Sequence, residues 1–326
     1  MNRSAILCAL AALAAGALAH AAIDKNEEII SGDGGDASEL IGGTPAKPED
    51  WPASVYARMS GAACSATVVG EKVLLIAAHC VSDGGTASFS AGGPNQYSSR
   101  CTHHPDYSFT RWLDDRLLEG IRAKGATEDW ALCHVDKVVT GIKYEKVLVD
   151  AAQFDCKAGK QVRLTGYGCI RSGGGGGNDG VFRVGLANVT SCPSGANNHD
   201  TVTRGASALC YGDSGGGAYL EGADGSRAIF GVNSRGNIRD TSYLSSTYTG
   251  KFKSWATTWA ASKAVKICGL HADALGCRGA NNPPPPPPPP GDDCADELAA
   301  AIDTQSKAGL ALGALKACMT AIEGGM

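Results

Sequence analysis

The chain has 326 residues, 43% of them hydrophobic and 19% charged, which sets aside a disordered or fibrous protein and leaves room for one packed domain plus a smaller unit. A net charge of −4 argues against a surface built for nucleic acid or an anionic membrane. Forty-four glycines against 6% aromatics point to many turns and a β-rich body.

Residues 1–21 read as a signal peptide. Arg3 supplies the positive start, and Ala5 to Leu18 is an apolar run short for a bilayer span. Small residues around Ala19 and Ala21 then fit a cleavage site. Residues 22–39 are acidic and Gly-rich (Asp33, Asp36, Glu39) without apolar periodicity, as in a propeptide. From Leu40 onward, short strand-like runs alternate with Gly, Asn, Asp and Ser, among them Ser65 to Val69, Lys72 to Ile76, Gln161 to Thr165 and Ala228 to Val232. Lys251 to Lys266 reads as a closing helix. The succession predicts an antiparallel sandwich or barrel, and periodicity alone does not choose between them. The main domain is placed at 40–282.

Pro283 to Pro290 form a stiff polyproline spacer of about 25 Å at roughly 3.1 Å per residue. In residues 291–326, Cys294, Leu298 and Ile302, then Ala311, Leu315, Cys318 and Ile322, recur at helical spacing on either side of a turn at Ser306 to Gly309. An antiparallel helical hairpin would bring Cys294 to Cys318, and a unit this small needs such a staple.

Thirteen cysteines are present, and twelve remain once Cys8 leaves with the signal peptide. With an exported chain and no C-x-x-C pair, disulfides are expected rather than a metal site. The strongest chemical signal is Gly212-Asp213-Ser214-Gly215-Gly216. Its small neighbours leave a serine hydroxyl accessible, and its glycines permit backbone N–H groups to converge on a developing oxyanion. Ala77-Ala78-His79-Cys80 places a candidate general base directly after an apolar run, and Asp129-Trp130-Ala131-Leu132 opens a strand with an acid suited to orient an imidazole. Asp106, Asp114, Asp115 and Asp136 are rival acids without those flanks.

The order His79, Asp129, Ser214 with these flanking residues resembles the chymotrypsin–trypsin family of serine proteases, the standard example of such a triad. Leu40-Ile41-Gly42-Gly43 resembles the family's mature N-terminus, and Trp51-Pro52 falls where its first strand begins. Gly166-Tyr167-Gly168 resembles its segment after the crossover between halves. The resemblance covers Leu40 to about Lys266. It implies two six-stranded antiparallel β-barrels with the site between them, and a C-terminal helix. It implies Ser214 as nucleophile, His79 as general base and then acid, Asp129 as orienting acid, and the N–H groups of Gly212 and Ser214 as oxyanion hole. It also implies a disulfide between Cys64 and Cys80. A cut between Glu39 and Leu40, or one residue later so that Ile41 becomes the new terminus, would free an amino group to pair with Asp213. No metal or organic cofactor is called for. The partners are polypeptide substrates and an activating protease, with no nucleic acid or membrane span and no partner assigned to the hairpin.

Further pairings follow from sequence neighbours: Cys101 with Cys133, Cys156 with Cys169, Cys192 with Cys210, and Cys268 with Cys277. The family resemblance further implies a specificity pocket formed by Ala208, Leu209, Ser234, Arg235 and Gly236, apolar at its base and suited to small or medium aliphatic side chains. Arg235 stands where the family has a large aromatic and could instead reach into the cleft to recruit an acidic side chain. Gly217 replaces the family's proline, no Cys between Cys210 and Cys268 completes the family's pocket-wall bridge, and Gly173 to Gly177 reads as a surface loop. Two alternatives stand beside a secreted endopeptidase made as a zymogen. One is an inactive protease-fold binding module; the other is a protease that delivers the C-terminal hairpin.

Overall fold

The computed structural model describes residues 40–118, 124–176, 179–222 and 225–279. The segments read from the sequence as signal peptide, propeptide, polyproline spacer and helical hairpin, and the expected Cys294–Cys318 pairing, lie outside the described residues.

Six strands close the first barrel: β2 (Ser54–Met59), β3 (Ala62–Gly70), β4 (Val73–Ile76), β5 (Thr86–Ser90), β6 (Gln96–His103) and β7 (Ala131–Val135). They run in the order β2-β3-β4-β7-β6-β5, and Arg58 opposite Ser88 joins the ends. The period-2 pattern is plain in β5, where Ala87 and Phe89 point inward and Thr86, Ser88 and Ser90 outward. A two-residue β1 (Thr44–Pro45) precedes this barrel and lies on the second one. The second barrel comprises β9 (Gln161–Gly166), β10 (Arg183–Ser191), β11 (Asp200–Arg204), β12 (Gly217–Glu221), β13 (Arg227–Gly236) and β14 (Thr241–Ser246). It closes because β9 pairs with both β10 and β12, and a short β8 (Lys146–Val147) runs parallel to β13. All other pairings in both barrels are antiparallel, so closure leaves each barrel without a long unpaired edge.

Each barrel has its own apolar filling. Val68, Leu74, Ile76 and Leu132 belong to the first, and Leu164, Phe230 and Leu244 to the second. The halves are fastened through Trp51, whose ring meets Tyr219 edge-on at 5.0 Å and lies 3.4 Å from the Arg227 guanidinium. Arg227 also pairs with the fully buried Glu145 at 2.6 Å. Tyr167 Oη donates to the Ser54 carbonyl at 3.0 Å, which adds a second tie.

The closing helix runs over Gly250–Lys263, and a further helix, Phe109–Leu118, interrupts the β6–β7 connection; these are α2 and α1. The α2 helix begins at Thr249, whose hydroxyl accepts from Phe252 N. It ends three residues short of the Lys266 read from the sequence. Ala264 turns left-handed (φ 52°), and the chain then runs back along the first barrel, with Cys268 N donating to Val69 O at 2.8 Å.

The disulfides Cys64–Cys80, Cys101–Cys133 and Cys268–Cys277 form as expected. The remaining two correct the neighbour rule: Cys156 bonds Cys192, and Cys169 bonds Cys210. Strands β9 and β10 are antiparallel with Gln161 opposite Asn188. That register sets Cys156, just before β9, beside Cys192, just after β10. Cys169, beyond the other end of β9, is carried to the loop holding Cys210.

Between the first barrel and α2 lies a buried polar cluster. Lys251 bridges Asp106 (2.8 Å) and Glu128, His199 Nε2 stands 3.8 Å from Glu128, and His104 meets the Trp130 and Trp255 rings edge-on at 5.3 Å. Burial, reinforced by the Lys251 ammonium, pushes the His104 imidazole down to about 4, and burial lowers His199 as well. An unfolded chain binds a proton on His104 near its ordinary value of about 6.5 whereas the native chain refuses it, so this residue withdraws stability as pH falls from about 6.5 to about 4. Asp213, raised by burial, contributes the opposite slope, so the measurement is a difference. The stability of the native protein relative to His104→Gln, read by urea unfolding, should decline steadily across that window. Parallel curves for the two proteins would show that His104 carries no such linkage.

Candidate active site

The apolar strand β4 ends in a single 3-10 turn, Ala78–Cys80, which buries Ala78 and Cys80 and leaves His79 facing a cleft. The Cys64–Cys80 bridge ties that turn to β3. Asp129, one residue before Trp130 and fully buried, receives three hydrogen bonds. His79 N donates to its Oδ1 at 2.9 Å, His79 Nδ1 lies 2.7 Å from Oδ2, and Ser234 Oγ donates to Oδ2 at 2.6 Å. Burial by itself would raise the carboxyl, but the contacts with His79 and Ser234 outweigh it and hold Asp129 below the usual carboxylate range. A carboxylate at Nδ1 keeps the proton on that nitrogen and leaves Nε2 as an acceptor on the cleft side.

Ser214 lines the same cleft of about 290 Å³ together with His79, Gly212 and Ser234. No direct hydrogen bond joins Ser214 Oγ to His79 Nε2, whose recorded contact is Cys80 Sγ at 3.8 Å; such contacts are often loose before substrate binds. The nucleophile loop is held against both barrels. Ser65 N and Ser65 Oγ both donate to Gly212 O, at 3.1 and 2.8 Å, and Gly215 N donates to Asn233 O at 2.8 Å. Gly212 has φ +100°, and a Cβ there would lie 2.8 Å from Gly168 Cα, so no other residue fits without strain. Asp213 is fully buried, receiving Gly168 N at 2.9 Å and Cys210 N at 2.8 Å. Burial nevertheless pushes its carboxyl up to about 8, because the two N–H groups only partly offset the loss of water.

The other residues singled out in the sequence separate into two groups. Leu209, Ser234, Arg235 and Gly236 line the cleft, whereas Ala208 lies beneath it, packed with Ile41, Cys169 and Cys210. Ile238, missed in the sequence, adds an apolar wall, with a left-handed backbone (φ 56°) that a branched residue signals poorly. Leu40 is buried with its N–H donating to Cys169 O at 3.1 Å, and Ala208 N donates to Ile41 O at the same distance.

Arg235 does not offer a charge to the cleft. Its guanidinium is buried between Asp115 and Asp200, with the Tyr243 ring 5.0 Å away. Burial disfavours its charge, but the two carboxylates outweigh burial and raise it above its ordinary value. Three of the four rival acids are likewise engaged elsewhere: Asp115 with Arg235, Asp106 with Lys251, and Asp136 with the N–H groups of Ser98 and Lys137, whereas Asp114 lies on the Phe109–Leu118 helix outside the cleft lining. Among the described residues, Cys64, His79 and Cys80 form the one group with metal-ligand spacing. Both sulfurs are spent in their mutual disulfide, so the group does not suit an ion.

Helix α1, also unread in the sequence, crosses the cleft between the barrels. Trp112 stacks on the His79 ring (4.2 Å between centroids, 15° between planes) and donates Nε1–H to Ser234 Oγ at 3.2 Å. Asp115 holds Arg235, and Arg116 donates to Tyr211 Oη at 3.1 Å. Phe109, Trp112 and Arg116, at i, i+3 and i+7, make the cleft-facing stripe that could have revealed it. Truncating the buried indole in Trp112→Ala should cost about 3–5 kcal/mol by urea unfolding. It should also speed diethyl pyrocarbonate modification of His79. Trp112→Phe should keep the stack and lose only about 1 kcal/mol, the hydrogen bond. Unchanged modification in Trp112→Ala would mean that the indole does not shield the imidazole.

The trypsin family model matches residues 40–256, about two-thirds of the chain. A comparison with curated proteins gives no match. Among the described residues no helix is long and apolar enough to cross a membrane. With two closed six-stranded barrels, five disulfides among the described residues and a matching family model, the chain belongs to the trypsin family of serine proteases.

Proposed function

We propose that the chain is an active, exported serine endopeptidase with Ser214, His79 and Asp129 as its triad. The observation that carries this reading is the double grip of the buried Asp129 carboxylate on His79, through the backbone N–H and Nδ1, beside a cleft that Ser214 shares. In the reaction, His79 Nε2 takes the Ser214 hydroxyl proton as Oγ attacks the scissile carbonyl carbon. The carbonyl oxygen becomes an oxyanion received by the N–H groups of Gly212 and Ser214. The imidazolium then gives its proton to the leaving amine, and water, activated by the same nitrogen, hydrolyses the acyl-enzyme. Asp129 stays ionised and stabilises the imidazolium. An inactive binding module would have no need of a buried acid that fixes the His79 tautomer.

Export rests on the apolar N-terminal run and on cysteines joined in pairs. A zymogen step is supported by Leu40 and Asp213. A cut after Glu39 would free an α-ammonium at Leu40, whose N–H donates to Cys169 O, next in the chain to Gly168, which donates to the Asp213 carboxyl, and that carboxyl's burial is only partly offset.

Ser214→Ala and His79→Ala should each lower kcat/KM on peptides by about 10⁴-fold or more, and the double variant should lose little beyond either, because the pair acts as one unit. A fluorophosphonate should label Ser214 in protein beginning at Leu40, and much more slowly in protein retaining residues 22–39. Near-native turnover in either single variant would refute the triad.

The apolar cleft walls Leu209 and Ile238, with Arg235 neutralised by two carboxylates, favour Ala, Val or Leu before the scissile bond. Burying an unpaired Lys or Arg head group against those walls would be costly. Paired peptides differing only at that residue should show aliphatic over basic preference, with discrimination among aliphatics of only about 10–200-fold. A clear preference for Lys or Arg would refute this specificity.

A further inference from the structure

The Cys169–Cys210 disulfide joins the two loops between which the oxyanion-hole peptide lies. Cys169 follows Gly166-Tyr167-Gly168, and Cys210 opens the loop leading to Ser214. The catalytic question for Gly212 is which way its N–H points. That N–H belongs to the planar Tyr211–Gly212 peptide, so it points opposite to the Tyr211 carbonyl. Cys169 N donates to that carbonyl at 2.7 Å. Tyr211 N in turn approaches Cys169 Sγ at 3.1 Å. The residue whose side chain makes the bridge therefore also supplies the N–H that fixes the Tyr211 carbonyl, and the bridge attaches to the residue immediately before Tyr211. The two hydrogen bonds received by Gly212 O from Ser65 fix the next peptide. Without the bridge, the two loops would be tied only by non-covalent contacts, chiefly the hydrogen bonds of Gly168 N and Cys210 N to Asp213 and of Leu40 N to Cys169 O, and the Tyr211–Gly212 peptide could rotate so that its carbonyl, rather than its N–H, faces the nucleophile.

We propose that the Cys169–Cys210 disulfide is a positioning element for catalysis, holding the Tyr211–Gly212 peptide with its N–H directed into the oxyanion hole. The inference rests on the serine-endopeptidase reading and adds to it a covalent determinant of transition-state binding. Neither cysteine touches substrate; both act through the orientation of Gly212 N.

The test uses full-length protein processed to its active form, with Cys169→Ala/Cys210→Ala compared with Cys156→Ala/Cys192→Ala. The second pair removes the other bridge of the same barrel, one that borders the β9–β10 hairpin rather than the nucleophile loop. Losing one oxyanion donor outright costs about 10²–10³-fold in kcat, so a peptide free to rotate should lower kcat by about 10–100-fold. KM should change by less than about threefold, since ground-state contacts persist. A peptidyl aldehyde, whose tetrahedral adduct needs the hole, should weaken in step with kcat. The control pair should lose thermal stability yet keep kcat within about twofold. The isosteric Cys169→Ser/Cys210→Ser pair repeats the measurement in case the alanine pair fails to fold. Near-native kcat in the Cys169/Cys210 variants, an equal fall in the control pair, or failure of both Cys169/Cys210 pairs to fold would each overturn the proposal and leave the bridge a structural staple. Native protein and Ser214→Ala are run in parallel. An inert native protein would sink the serine-endopeptidase reading itself, and the bridge's catalytic role with it, whereas an active native protein isolates the result to the bridge.

Discussion

The carboxylate of Asp129 is the point on which the site depends. It is fully buried, so its charge persists only because each nearby donor is aimed at it. Those donors come from separated parts of the chain: the His79 turn after β4 in the first barrel and Ser234 on β13 in the second. Ser234 also accepts from Trp112, so α1 is drawn into the same network. One buried charge thus gathers donors from two barrels and links to a helix, and with them it orients the imidazole in the cleft that Ser214 also lines.

Around that centre, the chain neutralises the further charges it buries. Arg235, where a large aromatic would be expected from the family, is matched by Asp115 from α1 and Asp200 from β11. Arg227 is matched by Glu145, and the buried Glu128 by the half-buried Lys251. Taking out one member of such a group would strand its partner in a low-dielectric interior, which is far more damaging than the net worth of the pair. Asp115 and Arg235 change the character of the cleft in a second way. They anchor α1 across it, so the helix that covers His79 is fixed by a buried ion pair rather than by surface packing.

The nucleophile loop is restrained from three directions. Ser65 of the first barrel holds Gly212 O, Gly168 and Cys210 hold the Asp213 carboxyl, and Cys169 holds Tyr211 O. Oxyanion stabilisation is effective only when the donors are in place before charge develops, so under the proposed function restraint of this loop would preorganise the glycine-rich turn.

The sequence by itself determined much of this protein. Alternating and apolar runs in Ser65 to Val69 and Ala228 to Val232 marked strands, because burial on a pleated sheet requires that pattern. The flanks of His79, Asp129 and Ser214 singled out three residues that the fold gathers at one cleft, because each proposed role needs particular neighbours: an apolar strand, a strand-opening acid and small residues. The closure of two barrels came from resemblance, since strand pairing across a long chain leaves no local periodicity. Tertiary structure decided the rest. Cys156 and Cys169 were paired wrongly by proximity in sequence, because the register of β9 against β10 sets which ends meet. Asp115 reads in the sequence as a spare acid and Arg235 as a charge able to reach into the cleft, whereas the fold pairs the two. Trp112 lies on a helical stripe present in the sequence, but its stacking on His79 has no local signal, because that contact joins a helix and a turn brought together only by folding. Local chemistry is written in neighbouring residues; the partner of a buried charge or a cysteine is chosen by the register of strands far apart in the chain.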